Sequence, residues 1–433
     1  MVEYTQEKIP VQDLLEGMFV AKLDRPWVGT PFPIQGFHVQ GEDDIKKLGL
    51  YCKHVYVDVA KSRIPVYPRL RSLDTPRQDG RQDTLSLGKV RLAVNEEVYE
   101  KKRPFKQEIH TAGKVHRDIS RAVDQLMDKV SMGKPIALKA ARKVADRMVD
   151  SIARNPDAFI WIARIRDKDE YSYSHCVRAT IWAVTFGRHL GLSRERLEHL
   201  ALGVLFSEVG KTRLPDKILQ KKGRLTAEEF EVMKKHVNYG VAILRDTKGM
   251  HPEVLDVVAN HHERHNGSGY PRGLKGNQIP LLGKIAGIVD FYDAVTCPRQ
   301  EEMALSPSEA MIKLHDLRDR DFQAELVDEF IQAIGIYPTG SLIELSTGEV
   351  GVITEQNAGR RLRPRVLLIL DRHKQPLRKM REIDLQKVLK DKEGHTLNIA
   401  ACLPEGSYGI DLSAFRKNFI GRLLGVGNPL FRH

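Results

Sequence analysis

Two adjacent histidines and the glycine-rich turn that follows them restrict the fold of this chain more than any other feature. The histidines are His261 and His262, and the turn ends in Gly269-Tyr270-Pro271. Adjacent imidazoles fit a metal site, and a turn that ends in Tyr-Pro fits a rigid pocket wall beside it. A metal site needs further ligands, which other parts of the chain must bring to the same place.

Further imidazoles and carboxylates occur in segments with helical periodicity. These predicted helices lie within 96–166 and at 174–191, 194–205, 226–244, 253–262, 284–296 and 306–313. Side chains of adjacent residues diverge by about 100° around a helix, so His261 and His262 could serve two metals or two edges of one cluster. The candidate metal ligands are His175, Glu208, His236, His261, His262 and Asp290.

Each candidate ligand taken alone also has a structural interpretation. His175 could be a histidine at a helix start, and His236, which follows two lysines, could lie on a solvated helix face. Asp290 lies in an apolar run, where a carboxylate needs a partner. Convergence of all of them would favour metal-assisted hydrolysis of phosphate esters, in which two metals about 3.5–4 Å apart activate the nucleophile and neutralise the phosphate.

Several segments between about residues 170 and 340 follow one another in a recognisable order. They are 171–175, 210–219, 225–229, His236, 261–264, 266–276 and 290–296. Their order and spacing resemble the HD-GYP family, a branch of the HD-domain metal phosphohydrolases that hydrolyses cyclic dinucleotides, chiefly cyclic di-GMP. The N-terminal runs 15–18 and 30–32 resemble a domain often fused ahead of HD-GYP modules.

The resemblance implies roles for individual residues. It implies that Lys211 reaches a phosphate or an activated water, and that Tyr270 is the signature tyrosine near the ligand. Arg299 would meet a phosphate in a charge-assisted contact, and Lys284 stands where the family commonly has an arginine. Glu208 occupies the position of the carboxylate that usually bridges the two metals. The implied metal ligands are His175, His236, His261, His262 and Asp290.

The chain departs from the family at the dyad that gives the family its name. Ser207 occupies the position of the family's metal-binding histidine, and its hydroxyl is a poor ligand and too short to replace an imidazole. Glu208 occupies the position of the family's aspartate. The extra methylene of glutamate moves the carboxylate by more than the roughly 0.5 Å that a preorganised site tolerates. After Arg299 the chain carries Gln300, Glu301 and Glu302, where a cation would help to hold phosphate. These changes weaken metal coordination and phosphate binding.

The predicted fold class is mainly α: an HD-type helical bundle with a small N-terminal α/β module and a C-terminal β appendage. Period-2 patterns predict strands at 17–21 and 54–59 around a helix at 42–50, and strands at 341–345, 351–354 and 366–370. The predicted boundaries are 1–62 for the module, 63–100 for a linker, 101–336 for the HD-GYP-like domain and 337–433 for the appendage and tail.

Charge and cysteine content limit the partners and the compartment. The formal net charge is +12, which favours anionic partners. The four cysteines form neither a zinc-ligand spacing nor a disulfide framework, so a reducing cytoplasm is expected. We expect no membrane association, because no apolar run approaches the roughly 18–20 residues that span a bilayer. Nucleic acid is not expected as a partner, because no compact basic block with interleaved aromatics occurs.

Three functions remain open at this point. The first is a cyclic di-GMP signalling protein of HD-GYP type with impaired hydrolysis, which acts by binding its ligand or partners such as a diguanylate cyclase. The second is an active phosphodiesterase that uses iron or manganese, and the third is a basic nucleic-acid-binding regulator. A protein of the first kind would bind a divalent metal, Fe or Mn, if its ligands suffice to hold one, and otherwise no metal.

Overall fold

The structure is a computed structural model of this chain. It describes residues 6–25, 27, 30–32, 36–58, 62, 97, 99–165, 173–221, 223–297, 304–357, 362–391, 394, 397–404, 406–410 and 412. The chain divides into two compact units, Met1–Asn95 and Glu96–His433. Among the described residues, every helix is too short or too polar to cross a bilayer.

The first unit is a four-stranded antiparallel sheet with one helix. Its elements are β1 (Gln6–Pro10), β2 (Phe19–Leu23), β3 (Phe37–His38), α1 (Glu42–Tyr51) and β4 (His54–Asp58), in the sheet order β1-β4-β2-β3. Alternate side chains of β4, Val55 and Val57, are fully buried with Leu48 of α1, as a strand with one covered face requires. The predicted module is therefore present. Nearly all of the predicted linker 63–100 lies outside the described residues.

The second unit is a helical bundle. Its helices are α2 (Phe105–Ser131), α3 (Leu138–Arg154), α4 (Pro156–Arg164), α5 (Ser174–His189), α6 (Arg194–Leu205), α7 (Asp216–Leu219), α8 (Ala227–Arg245), α9 (Pro252–Asn260), α10 (Leu281–Thr296), α11 (Pro307–Asp316) and α12 (Ala324–Ile334). Buried side chains recur every three or four residues along α2, which is the spacing that places them on one helix face. Sequence-coded caps begin several helices: Thr226 and Glu229 form a capping box, Ser193 caps α6, and Pro252 is the first residue of α9.

Helices α5 and α10 lie in the interior of the bundle and pack against each other. Both are apolar around most of their circumference, and such helices are buried. Polar residues on these two helices are therefore held inside the protein, where they need partners. That packing brings His175 and Arg178 of α5 into contact with Asp290 and Asp293 of α10.

A five-stranded antiparallel sheet follows the helices. It contains β5 (Leu342–Leu345), β6 (Val350–Glu355), β7 (Arg365–Leu370), β8 (Pro376–Asp384) and β9 (Ile399–Leu403), in the order β8-β7-β6-β5-β9. Its core includes Ile343, Ile353, Val366 and Leu368, each fully buried. The mainly α architecture with a β appendage, predicted from the sequence, is confirmed.

A buried carboxylate joins the sheet to the helical bundle. Asp157 of α4 accepts a hydrogen bond from the Thr339 hydroxyl at 2.8 Å and pairs with the Lys101 ammonium at 2.6 Å. The same ammonium lies 3.4 Å from Glu355 of β6. Because Asp157 is buried, its charge must be neutralised locally. These contacts attach the start of the sheet to α4.

Candidate metal centre

The predicted ligands converge from five parts of the helical bundle. His175 comes from α5, Glu208 from the turn after α6, His236 from α8, and Asp290 from α10, while His261 and His262 directly follow α9. The ligand atoms form two sets, and within each set all atoms lie within 4.8 Å of one another. The imidazole group contains Glu208, His236, His261 and His262, and the carboxylate group contains His175, Glu208 and Asp290. Glu208 belongs to both groups.

The end of α9 differs from the sequence prediction. The helix ends at Asn260, and the backbone N–H of Glu263 donates to the Asn260 carbonyl, so His261 and His262 lie in the closing turn. Their ring centroids are 4.1 Å apart, and both belong to the imidazole group. Glu208 also lies in a turn rather than on a helix. The prediction that these three ligands lie on helices was therefore wrong, although their convergence was anticipated.

The imidazole group presents two nitrogen lone pairs to which no described residue donates a hydrogen bond. Nδ1 of His236 faces the Met233 carbonyl at 2.7 Å, and Nδ1 of His261 faces the Val258 carbonyl at 2.8 Å. A carbonyl only accepts, so each Nδ1 carries the hydrogen and each Nε2 carries the lone pair. Both Nε2 atoms are buried and lack a hydrogen-bond partner among the described residues. Such orphaned acceptors that point at a carboxylate fit a divalent cation.

Burial keeps these histidines neutral. Desolvation lowers the pKa of His261 to about 4, against the nearby Glu208 and Asp290 charges that favour protonation. Desolvation likewise lowers the pKa of His236 and holds that of His262 well below the usual value. Metals bind the neutral imidazole, so the group is in its metal-binding protonation state at neutral pH.

His175 in the carboxylate group is held in the opposite state. Its Nε2 lies 3.1 Å from Asp290 and its Nδ1 lies 2.7 Å from Asp293. Burial alone would lower the pKa of His175, but the hydrogen bonds to the two carboxylates outweigh it and raise the pKa to about 10. A cation at this position would therefore displace the proton on Nε2 while Asp293 keeps the one on Nδ1.

Asp293 was missing from the predicted site. It is fully buried one turn after Asp290 on α10 and accepts two hydrogen bonds from Arg178, each 2.9 Å, besides the one from His175. The Trp182 indole N–H donates to it at 3.3 Å. Burial would raise the pKa of Asp293, but the Arg178 charge and the His175 bond hold it low. A second acid three residues after Asp290 in an apolar run was the signal available in the sequence.

Glu208 forms an ion pair with Lys211 across one turn. The Lys211 ammonium lies 2.6 Å from a Glu208 carboxylate oxygen, and Nε2 of His236 lies 3.7 Å from the same oxygen. Burial would raise the pKa of Glu208, but Lys211 and the surrounding histidines hold it well below the usual value. Glu208 is therefore an anion that lies between the two groups.

Ser207 does not contribute a ligand to either group. Ser207 follows α6, its hydroxyl donates at 2.9 Å to the carbonyl of Val204 in the last turn of that helix, and its side chain is buried. The carboxylate group thus contains three candidate donors from the described residues, whereas the imidazole group contains four.

A close backbone approach sets the position of Glu208 and Lys211. Gly210 packs so tightly on α8 that a Cβ there would lie 1.8 Å from the His236 carbonyl oxygen and 2.5 Å from the Gly240 nitrogen. Only glycine permits this approach. The turn at Val209–Arg213 is therefore held directly against the helix that carries His236.

Tyr270 lies beside the imidazole group on a loop organised by Glu263. The tyrosine ring lies 4.7 Å from the His262 ring. The buried Glu263 carboxylate accepts from the backbone N–H of Arg272 at 2.8 Å and of Leu274 at 2.9 Å, which fixes the loop. Glu263 lies within the segment 261–264 of the family resemblance, but no role was predicted for it.

Of the two other cations predicted to contact the ligand, Lys284 is among the described residues. The Lys284 ammonium donates to Gln323 at 2.8 Å and to Asn277 at 3.4 Å. Its predicted contact with substrate therefore stays a prediction. Arg299 lies outside the described residues.

A third set of possible ligand atoms occurs between α6 and α9. It contains His199, His251 and Glu253. Here the polar atoms already contact one another: His199 Nδ1 lies 2.8 Å from Glu253, and the Glu253 backbone N–H donates to His251 Nδ1 at 3.3 Å. These contacts leave it less fit for a cation than the imidazole group.

Known families and proteins resemble this chain over most of its length. A family model described as "HD domain" matches residues 160–326, a domain of unknown function (DUF3391) matches residues 6–141, and a "KOW domain associated with HD domain" matches residues 342–390. The chain is 31% identical over 370 residues to the cyclic di-GMP phosphodiesterase PA4108 of Pseudomonas aeruginosa. That alignment covers 83% of this chain and 84% of that protein.

Other relatives match a smaller part of this chain. A cyclic di-GMP phosphodiesterase of Thermotoga maritima is 32% identical, over 38% of this chain and 45% of that protein. The 3'3'-cGAMP-specific phosphodiesterase 2 of Vibrio cholerae is 32% identical, over 37% of this chain and 31% of that protein. Together with the 31% identity that extends over most of the Pseudomonas protein, these matches show that the chain belongs to the HD-GYP family.

Proposed function

We propose that this chain is a cytoplasmic cyclic-dinucleotide-binding signalling protein of the HD-GYP type whose hydrolytic step is impaired. The observation that carries the proposal is the Ser207 hydroxyl, which bonds to the Val204 carbonyl and leaves the carboxylate group one donor short. Hydrolysis of a phosphodiester by this class of site relies on two adjacent cations. A weak second metal position would reduce turnover more than it would reduce the affinity for the ligand.

The two groups differ in their capacity for a cation. Three imidazoles and one carboxylate make a complete four-donor set in the imidazole group, and nitrogen and oxygen donors of this kind suit iron or manganese. In the carboxylate group, His175 is protonated and bonded to Asp290, and Glu208 is paired with Lys211. We therefore propose one well-held metal, with His236, His261, His262 and Glu208 as its ligands.

The proposed ligand is cyclic di-GMP or a related cyclic dinucleotide. The relatives reported above are named for cyclic di-GMP or for 3'3'-cGAMP. Tyr270 beside the imidazole group and the Lys211 ammonium would contact the bound nucleotide, and Arg299 and Lys284 retain this role as predictions. A diguanylate cyclase or another signalling protein would read the bound state.

An active phosphodiesterase is the second candidate function. Glu208 favours it, because this one carboxylate lies within reach of all the other candidate ligands and could still bridge two cations. Water could then complete the position that lacks a histidine.

The deciding experiment measures metal content, ligand binding and turnover on the whole chain. We expect the wild type to bind cyclic di-GMP with about one metal per chain and to hydrolyse it slowly with Mn or Fe supplied. The double variant Ser207→His/Glu208→Asp should gain metal and turn over at least about tenfold faster, because it completes the second position. His199→Ala, in the third set of ligand atoms, is the control that should leave metal content unchanged. Wild-type turnover equal to that of intact family members would favour the second candidate.

A further inference from the structure

The first half of α8 leaves a large aromatic side chain in solvent next to the candidate metal centre. Phe230 is 43% exposed. Its ring meets the Tyr270 ring edge to face, with centroids 6.0 Å apart, and the Tyr270 ring lies 4.7 Å from that of His262. Phe230, Tyr270 and His262 thus form a continuous row of rings from the protein surface to the imidazole group.

A lysine on the next turn of α8 covers both aromatic rings. The Lys234 ammonium lies 5.0 Å from the Phe230 centroid and 5.7 Å from the Tyr270 centroid. It pairs with Glu231 at 2.6 Å, but the Glu231 side chain is 67% exposed, and exposed pairs of this kind are weak. Its ammonium can therefore exchange this carboxylate for a phosphate at little cost.

We propose that Phe230 and Lys234 form a nucleobase subsite, in which the Phe230 ring stacks on one purine and Lys234 contacts the adjacent phosphate. This inference rests on the proposed function, because it assigns one end of the same bound dinucleotide. Every nucleobase has a flat π-face that stacks on an exposed aromatic ring, and a neighbouring cation matches the charge of the phosphate. The row of rings then spans from the base to the centre where the phosphodiester would lie.

The helix itself supplies a matched control for the aromatic ring. Tyr239 is 38% exposed on α8, nine residues after Phe230. Nine residues are about two and a half helical turns, so Tyr239 lies on the opposite face of the helix. Lys235, next to Lys234, is the corresponding control for the charge.

The experiment measures binding of cyclic di-GMP to the whole metal-loaded chain, with a cyclic dinucleotide that carries 2-aminopurine as a stacking reporter. Phe230→Leu removes the π-face but keeps apolar volume, and should weaken binding about tenfold, while Phe230→Trp should preserve it. Fluorescence quenching of bound 2-aminopurine should fall in Phe230→Leu and persist in Tyr239→Ala. Lys234→Gln should flatten the salt dependence of binding, and Lys235→Gln should leave it unchanged.

Two different failures can be told apart. If the wild type binds no cyclic dinucleotide, the proposed function fails and the subsite fails with it. If the wild type binds but Phe230→Leu matches Tyr239→Ala in both affinity and quenching, only the subsite is overturned, and Phe230 would instead belong to a protein-docking surface. Thermal unfolding of each variant verifies that it is folded.

Discussion

At the scale of single residues, the candidate centre contains two kinds of histidine with opposite protonation. His261 is neutral because burial lowers its pKa to about 4, whereas His175 is protonated because Asp290 and Asp293 raise its pKa to about 10. One interior region therefore holds both free imidazole lone pairs and an imidazolium. The difference arises from what faces each ring: backbone carbonyls at His261 and His236, and carboxylates at His175.

The neutral histidines predict an acid-sensitive metal-free protein. The folded-state pKa of His261 lies below its unfolded value of about 6.5, so the unfolded chain takes up the proton first as the pH falls. The contribution of neutral His261 to the free energy of unfolding is present above pH 6.5, and about 2 kcal/mol of it is lost toward pH 5. Urea unfolding of chelator-treated protein at pH 7.5 and 5 measures the loss.

The matched variant for this acid sensitivity is His261→Gln, which should reduce the difference between the two pH values. His175 has the opposite sign: its contribution is complete below about pH 6.5 and is lost as the pH rises toward about 10. Between pH 7.5 and pH 5 the His175 contribution therefore offsets part of the His261 loss, and it does so equally in the wild type and in His261→Gln, so the difference between the two proteins reports His261. An unchanged pH dependence in His261→Gln would contradict the assignment.

Asp293 is predicted to be a positioning residue for His175. Asp293→Asn keeps the shape but removes the charge that orients the Nδ1–H and pairs with Arg178. We expect the affinity of the carboxylate group for a second metal to fall about 10–100-fold, as for other residues that orient metal ligands, while the metal of the imidazole group is retained. Metal titration gives the affinity, and NMR titration of His175 should show a lowered pKa, which a purely structural role would not produce.

At the scale of elements, the turn after α6 controls the site. Gly210→Ala would place a Cβ 1.8 Å from the His236 carbonyl oxygen, so the turn and α8 would have to separate. We expect a loss of about 3 kcal/mol or more and a loss of bound metal, because Glu208 and His236 would move apart. Thermal unfolding and metal analysis of the purified variant measure both effects.

Gly113 of α2 is the control for that glycine. A Cβ there meets only the Ile162 side chain, at 3.4 Å, and the residue lies within a helix. Gly113→Ala should be neutral or stabilise the protein by up to about 1 kcal/mol. If Gly210→Ala behaved in the same way, the close approach would not be required.

Sequence patterns predicted most helices of the bundle but missed helix α12 and the two edge strands of the C-terminal sheet. Helices α5, α6 and α8 begin within a residue of prediction because Ser193 and Thr226 mark two of the starts. Strand β8 was missed because it is an edge strand of mostly charged residues, and β9 because it is partly exposed. Helix α12 was not among the predicted helices, although its buried residues follow the helical spacing.

The candidate site was predictable where a polar residue was unusual for its surroundings. The six candidate ligands could be read from histidines and acids in apolar or helical segments. The partners of these ligands could not, because Arg178, Trp182 and Asp293 meet only when α5 packs on α10. The fate of the Ser207 hydroxyl was equally inaccessible, since it depends on the local turn at the end of α6.

At the scale of the whole molecule, a polar contact joins the helical bundle to the C-terminal sheet. Asp157→Ala would leave the Lys101 ammonium without its closest partner and the Thr339 hydroxyl without its acceptor. We expect a loss of about 2–3 kcal/mol and faster amide hydrogen exchange in β5 and β6 than in α5 or α10. Hydrogen-exchange mass spectrometry resolves these segments.

Lys106→Ala provides the comparison for this contact. Lys106 pairs with Glu382 of β8 at 3.1 Å, but its side chain is 63% exposed, so the pair should contribute less than about 1 kcal/mol. Equal exchange rates in the two variants would show that Asp157 does not hold the sheet.

The charges around Glu208 affect how metal and nucleotide bind to the centre. Three anions, Glu208, Asp290 and Asp293, face three cationic groups, Lys211, His175 and Arg178. The cluster is thus electroneutral before any ion arrives. A divalent cation would leave surplus positive charge in a poorly solvated interior, even after His175 releases its proton. A phosphodiester anion supplies the missing opposite charge, so metal and nucleotide should enter cooperatively, each raising the affinity of the other.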